Sequence, residues 1–357
     1  MKNLAPLLSQ LPDEMDLASV PGLVLATVQK SDIQVYPIGV KHAQTQAPIT
    51  PDTVFPAASL SKPVFAWGVL GLVEKGLFDL DRPLMAYLPL PEAESVPQLN
   101  EITARQVLSH ATGLQNWRFS LDDKFEFAFQ PGTGFQYSGE GYFYLQRVIE
   151  KITGQGIEGF MQDHVLQPLG LTHSSFLWLT DYEQTLTWGH HDRGVPGEGF
   201  GARFGRKMWA LAEASGKPLR DWRYEDVLQA LPQIHPNLRP LGNDMLPNVA
   251  ASLLTTAADY AQFVQQIMAA PPEGMLTPQI SINRWLSWGL GWGLAHAPHG
   301  PTFWHWGDNG AFKNFIYADP GTREALLILT NGERGLTLCE RIIRRLTGYE
   351  HPAFLWL

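Results

Sequence analysis

Strand patterns stand at both ends of this chain with helical patterns between them, and that order narrows its possible folds more than any other feature. "GLVLATVQ" (22–29) and "DIQVYPIGV" (32–40) flank Lys30-Ser31, which predicts a hairpin. Near the other end come "SWGLGWGLAH", "TFWHWGD", "KNFIYADP" and "REALLILTN", then a helical pattern around Cys339. From about 77 to 265 the pattern is of helices broken by Pro and Gly. "TARQVLSHATGL" reads as helix then turn. "GYFYLQRVIEKITG" puts Tyr144, Leu145, Val148, Ile149 and Ile152 on one stripe and ends in glycine. "TTAADYAQFVQQIM" is a further helix with Thr255 or Thr256 as N-cap. One sheet built from both termini, with a helical region inserted, is the expectation. Residues 188–206 hold six glycines without periodicity and read as an exposed loop at the rim of a site.

Composition bounds the function. The net charge of −9 and the absence of any run of Lys and Arg argue against a nucleic-acid partner. A single cysteine, Cys339, excludes an internal disulfide and reads as a packed helix residue. The N-terminal residues contain no sustained apolar segment of the signal-peptide kind. The longest apolar run, Pro63 to Val73, is 11 residues and too short to cross a bilayer. A soluble protein follows, cytoplasmic by default, and periplasmic or secreted if a leader has been removed.

The chemistry begins at "PAASLSKPVFAWGVLGLVEKG" (56–76), where Lys62 opens a helix that is apolar almost all round and that Gly76 ends as a left-handed cap. On a helix, positions i and i+3 share a face, so the Ser59 hydroxyl and the Lys62 amine can touch. A desolvated lysine loses its charge more readily, becomes a base, and makes the neighbouring serine a nucleophile. The helix N-terminus would also favour a developing oxyanion at Ser59. The bland alternative is a capping serine, Ser59 or Ser61, with a lysine that snorkels to solvent. A chain of this length carries about one Ser-x-x-Lys by chance, so the pattern needs company.

It has two companions. Tyr137, in "PGTGFQYSGEGY" (131–142), lies in a short turn before a helix, where a nearby ammonium would help it release a proton and relay it to a leaving group. His305-Trp306-Gly307 lies on an aromatic strand whose glycine allows close approach of a substrate. There is no Gly-x-Ser-x-Gly elbow, no His-Glu-x-x-His and no glycine-rich phosphate loop. His190-His191 with Asp192, and His296, His299 and His305, lack metal-site spacing. Neither a metal nor a cofactor is expected.

Ser-x-x-Lys, Tyr-Ser-Gly and His-x-Gly, in this order and spacing, resemble the serine β-lactamase-related superfamily. The chain is most similar to its class C branch, which also holds D-alanyl-D-alanine peptidases, penicillin-binding-protein-like hydrolases and family VIII carboxylesterases. "LSHATGL" (108–114), "LGLTHSSF" (169–176), "AASLLTTAADYAQF" (250–263) and "GLGWGL" (289–294) extend the likeness over roughly residues 20 to 345. The resemblance implies an α/β (α+β) chain with the β-lactamase/transpeptidase-like fold, an antiparallel sheet flanked by helices with an adjacent helical lobe. The α/β lobe would take residues 1–65 and about 265–357, the helical lobe about 66–264. It also implies Ser59 as acylated nucleophile, Lys62 as its base, Tyr137 as proton shuttle, and an oxyanion hole of the Ser59 and Asp308 N–H groups beside Gly307. His305 stands where β-lactamases carry the lysine of Lys-Thr-Gly, and Gly139 where they carry the asparagine of Tyr-x-Asn. Both departures weaken recognition of acidic amides. Trp288, Trp292, Trp304 and Trp306 near these motifs read either as an apolar acyl pocket or as core.

The expectation is therefore a serine hydrolase with a covalent acyl-enzyme, acting as a carboxylesterase on small or medium esters. The alternatives are a β-lactamase or D-amino-acid peptidase, and a non-turnover penicillin-binding or scaffold protein. The sequence leaves the oligomeric state open.

Overall fold

The computed structural model describes residues 4–191, 196–297 and 300–357. Nine strands form the main sheet: β1 (Gly22–Gln29), β2 (Asp32–His42), β3 (Ala47–Pro48), β4 (Ile280–Ser281), β5 (Leu286–Trp288), β6 (Gly293–Ala297), β7 (Gly300–Asn309), β8 (Phe312–Asp319) and β9 (Glu324–Thr330). They run in the order β3-β2-β1-β9-β8-β7-β6-β5-β4, with antiparallel neighbours throughout. The N-terminal hairpin thus enters the sheet beside the last strand, with Leu25 opposite Ile328. The hairpin expected at Lys30-Ser31 is present, and Lys30 supplies the left-handed residue at φ 59° that such a turn needs.

Helices cover both faces, which is why β1 is buried along nearly its whole length and does not alternate. Leu23, Leu25, Phe315 and Ile328 face α1 (Ala5–Leu17) and α9 (Gly335–Thr347). Val24, Ala26, Ile316 and Leu327 face a larger core with α2 (Ser61–Glu74), α4 (Gly139–Thr153) and α8 (Ala257–Ala269). Helix α2 is apolar all round because it runs through that core, and Gly76 (φ 69°) ends it as expected. α3 (Ala104–Leu108) carries a Thr103 capping box, α5 (Ile157–Met161) follows α4, and Thr256 is the cap of α8. α7 (Tyr224–Ile234) and α10 (Ala353–Trp356) are further helices.

Two sequence expectations need correction, and one helix lies where the sequence suggests no element. Residues 188–206 are not one loop. Gly189–His190 pairs with Pro196–Gly197, and α6 (Phe200–Ser215) begins inside the segment. The glycines hide a real helical face of Ala202, Phe204 and Met208. Gly205 is required there, since a Cβ would lie 2.4 Å from Trp178 Cβ. "SWGLGWGLAH" is two strands, β5 and β6, folded at Gly291 (φ 93°). Residues 5–17, for which the sequence pattern gives no element, form α1 despite Pro12, held by Glu14 to Arg341 and Arg345 of α9. Asp192 and His299 lie outside the described residues.

Candidate active site

The turn Ala57-Ala58-Ser59 enters α2 with Ala58 at φ 52°, a left-handed conformation costly for any residue with a Cβ. β7 presses against this turn. A Cβ at Gly307 would stand 2.5 Å from the Ala57 carbonyl oxygen, so only glycine admits the approach. Ser59 is half-buried, with Asp308 following Gly307 on the adjacent strand. The Asp308 carboxylate turns to Lys313 across the strand pair at 2.5 Å.

Lys62 is 1% exposed, so it does not snorkel. Its Nζ lies 3.1 Å from Ser59 Oγ and donates to the Ala250 carbonyl at 2.8 Å. Burial holds the amine well below the usual 10.5. In its neutral form, which burial favours, it can give an N–H to Ala250 and keep its lone pair for the Ser59 proton. Ser61 does other work, donating to the Ala58 carbonyl (2.6 Å) and accepting from the Leu253 N–H (2.9 Å).

Tyr137 covers Lys62, its ring centroid 4.7 Å from Nζ. Ser138 places it: the Ser138 Oγ caps α4 by accepting from the Gly141 N–H and donates to the Gln115 carbonyl. The expectation that a neighbouring ammonium would acidify Tyr137 fails. Burial instead pushes the phenol well above its usual range, opposed in part by the Ser59 hydroxyl. Tyr137 keeps its proton, and its buried oxygen has no partner of ordinary hydrogen-bond geometry.

His305 is fully buried between Tyr137, Trp288, Trp292 and Trp306. Its Nδ1–H donates to the Trp306 carbonyl at 2.7 Å, which leaves the lone pair on Nε2. That nitrogen is buried without a partner, and burial brings the imidazole down to about 3. His305 is therefore neutral, and it sits behind Tyr137 with none of its surface open to the cleft.

Sequence reasoning singled out neither His110 nor Trp117. His110 (φ 56°) stacks on Tyr137 at 4.1 Å and accepts the Ser138 N–H at Nδ1, so its buried Nε2 carries the hydrogen. The signal for it was its place in "LSHATGL". Trp117 lies against Gly139, a contact between loop and helix that no spacing rule encodes. Trp288, Trp292 and Trp304 are wholly buried core residues, which removes them as an acyl pocket; of the four, Trp306 alone is partly open. Beside the site, Pro56, Ala251, Ser252, Asn309, Phe200 and Phe312 border a cavity of about 290 Å³.

Among the described residues no group of three His, Cys, Asp or Glu is arranged to hold a metal, and no helix is long and apolar enough to cross a membrane.

A Ser-Lys-Tyr cluster between α2 and an antiparallel sheet agrees with the likeness to known proteins. Residues 10–346 match the β-lactamase family. The chain is 25% identical over 367 residues to penicillin-binding protein 4 of Amycolatopsis lactamdurans, covering 92% of this chain and 85% of that protein. It is 30% identical over 171 residues to esterase EstB of Burkholderia gladioli, covering 39% of this chain and 42% of that protein. A class C β-lactamase structure superposes with a TM-score of 0.69 at 18% identity, over 92% of each chain. The chain belongs to the β-lactamase family of serine hydrolases.

Proposed function

We propose that the protein is a carboxylesterase acting on small or medium esters through an acyl-Ser59 intermediate. The observation that carries this reading is the Lys62 amine, 1% exposed, its pKa lowered by burial, 3.1 Å from Ser59 Oγ. Lys62 takes the Ser59 proton as Oγ bonds to the ester carbon, and the N–H groups of Ser59 and Asp308 hold the oxyanion. The ester C–O bond then breaks, and the proton passes through the Tyr137 hydroxyl to the departing alkoxide. In the second half, water gives its proton back along the same path, attacks the acyl carbon and releases the carboxylic acid with Ser59 restored.

Ester preference is supported by two residues close to Tyr137. Position 139 has no amide side chain, and His305 is a buried neutral imidazole where a fixed cation would pair with a substrate carboxylate. The name of EstB points the same way for that relative. A β-lactamase or D-amino-acid peptidase is the second reading, favoured by the long match to penicillin-binding protein 4.

The test is a paired assay of a short-chain nitrophenyl ester and a chromogenic cephalosporin, with wild type and Ser59→Ala. Rapid ester turnover with little cephalosporin hydrolysis is expected, with a loss of about 10⁴-fold or more in Ser59→Ala. Faster cephalosporin turnover supports the second reading, and ester turnover preserved in Ser59→Ala refutes the nucleophile.

A further inference from the structure

The indole of Trp117 occupies the space that a side chain at position 139 would need. A Cβ at Gly139 would lie 2.1 Å from Trp117 Cζ2, and one at Gly242 would lie 2.9 Å from Trp117 Cζ3. The ring is thus clamped between two glycines, one beside Tyr137 at the start of α4 and one just before the cavity-lining residues 243–246. Its backbone is fixed. The Asn116 carbonyl accepts from the N–H groups of Gly139 (3.0 Å) and Glu140 (2.9 Å), and Asn116 Oδ1 accepts from Gly139 again at 2.9 Å. Glu140, itself buried, accepts from the Arg118 N–H at 3.0 Å and pairs with its guanidinium at 3.3 Å.

The ring is only partly buried and packs with the cluster containing Met245 and Leu246, which also border the cavity. Two residues on, the same loop exposes Phe119 (59%), then Leu121 (63%), while the Asp123 carboxylate accepts from the Phe119 and Ser120 N–H groups to hold its turn. A tethered indole therefore fills the place of a side chain at position 139, two residues from Tyr137, and packs with the cluster that supplies Met245 and Leu246 to the cavity wall.

We infer that Trp117 is the residue that sets acyl specificity, selecting esters of apolar, linear or aryl carboxylic acids and disfavouring acyl groups that carry an amide next to the carbonyl. This rests on the esterase reading given above and adds the substrate class. An apolar acyl chain displaces water from the indole face and the cavity mouth, gaining roughly three- to fourfold in kcat/KM per methylene. An amide-bearing acyl group meets carbon where it needs a hydrogen-bond partner.

The experiment measures kcat/KM for nitrophenyl acetate, butyrate and hexanoate with wild type, Trp117→Ala and Trp117→Phe. In parallel, calorimetry follows binding of the hexanoate ester to Ser59→Ala with and without Trp117→Ala. Wild type should rise steeply with chain length. Trp117→Ala should flatten that rise by about tenfold or more between acetate and hexanoate while changing acetate by less than about threefold, and Trp117→Phe should keep most of it. Hexanoate-ester binding should weaken about tenfold with Trp117→Ala. An unchanged chain-length slope in both variants, or an equal loss on acetate and hexanoate, overturns the inference. If wild type hydrolyses none of these esters, the esterase reading fails, and the binding measurement alone then decides the role of Trp117. Should Trp117→Ala not fold, Trp117→Leu carries both arms.

Discussion

Two basic side chains stand near Tyr137, Lys62 from α2 and His305 from β7, and both are buried with pKa values lowered by that burial. They differ in what their nitrogens touch. Lys62 Nζ has two polar neighbours, the Ser59 hydroxyl and the Ala250 carbonyl. His305 has its neighbour's carbonyl on one nitrogen and nothing on the other. Burial thus favours the neutral form of both, yet only Lys62 is aimed at a group whose proton it can take. Desolvation supplies a free lone pair, and contact decides whether that lone pair is a base.

The contrast breaks most decisively at Lys62. Lys62→Met should lower kcat/KM on esters about 10³-fold, because Ser59 loses its proton acceptor. Tyr137→Phe should cost less, about 10²-fold. Since burial raises the Tyr137 phenol, the wild-type pH profile should fall on its acid side as Lys62 takes up a proton and show no alkaline fall from Tyr137 below pH 10. An alkaline limb lost in Tyr137→Phe would contradict the protonated phenol. His305→Phe should change esterase activity by less than about tenfold, since His305 shapes the wall behind Tyr137 without moving a proton. A loss matching that of Lys62→Met would erase the distinction.

Stability sharpens the same point with a smaller effect. The unfolded chain binds a proton at Lys62 up to the usual 10.5, whereas the folded chain releases it at a much lower pH. Across that interval the unfolded state binds more protons, so this group adds stability as pH rises toward 10.5 and removes it as pH falls. Lys62→Met should therefore stabilise the fold by about 1–2 kcal/mol near neutral pH, with the gain shrinking toward pH 10, as read from denaturant midpoints. A variant less stable than wild type at neutral pH would show that the amine gains more from its contacts than burial costs it.

How much of this was legible depended on distance along the chain. The Ser59–Lys62 contact follows from a three-residue helical offset, and the Lys30-Ser31 hairpin and the Gly76 and Gly154 caps follow from local turn chemistry. Lys62 meets Ala250 across 188 residues, and Trp117 meets Gly139 from a loop; neither has a local signature. Glycine misled in both directions. In 188–206 it signalled a loop, but Gly205 is a helix residue thinned to admit Trp178, and Gly139 looked like a lost side chain when Trp117 fills its place. The tryptophans misled for a related reason. Three near the C-terminal motifs are core, while the one beside Tyr137 carries no motif.

The most direct measurement is the single-turnover rate of Ser59 acylation by a nitrophenyl ester, for wild type and Lys62→Met, from pH 5 to 9. The account predicts that the wild-type rate rises with one ionisation to a plateau and that the variant is about 10³-fold slower at the plateau with no such rise. A variant that acylates within tenfold of wild type and keeps the same pH dependence would contradict Lys62 as the base.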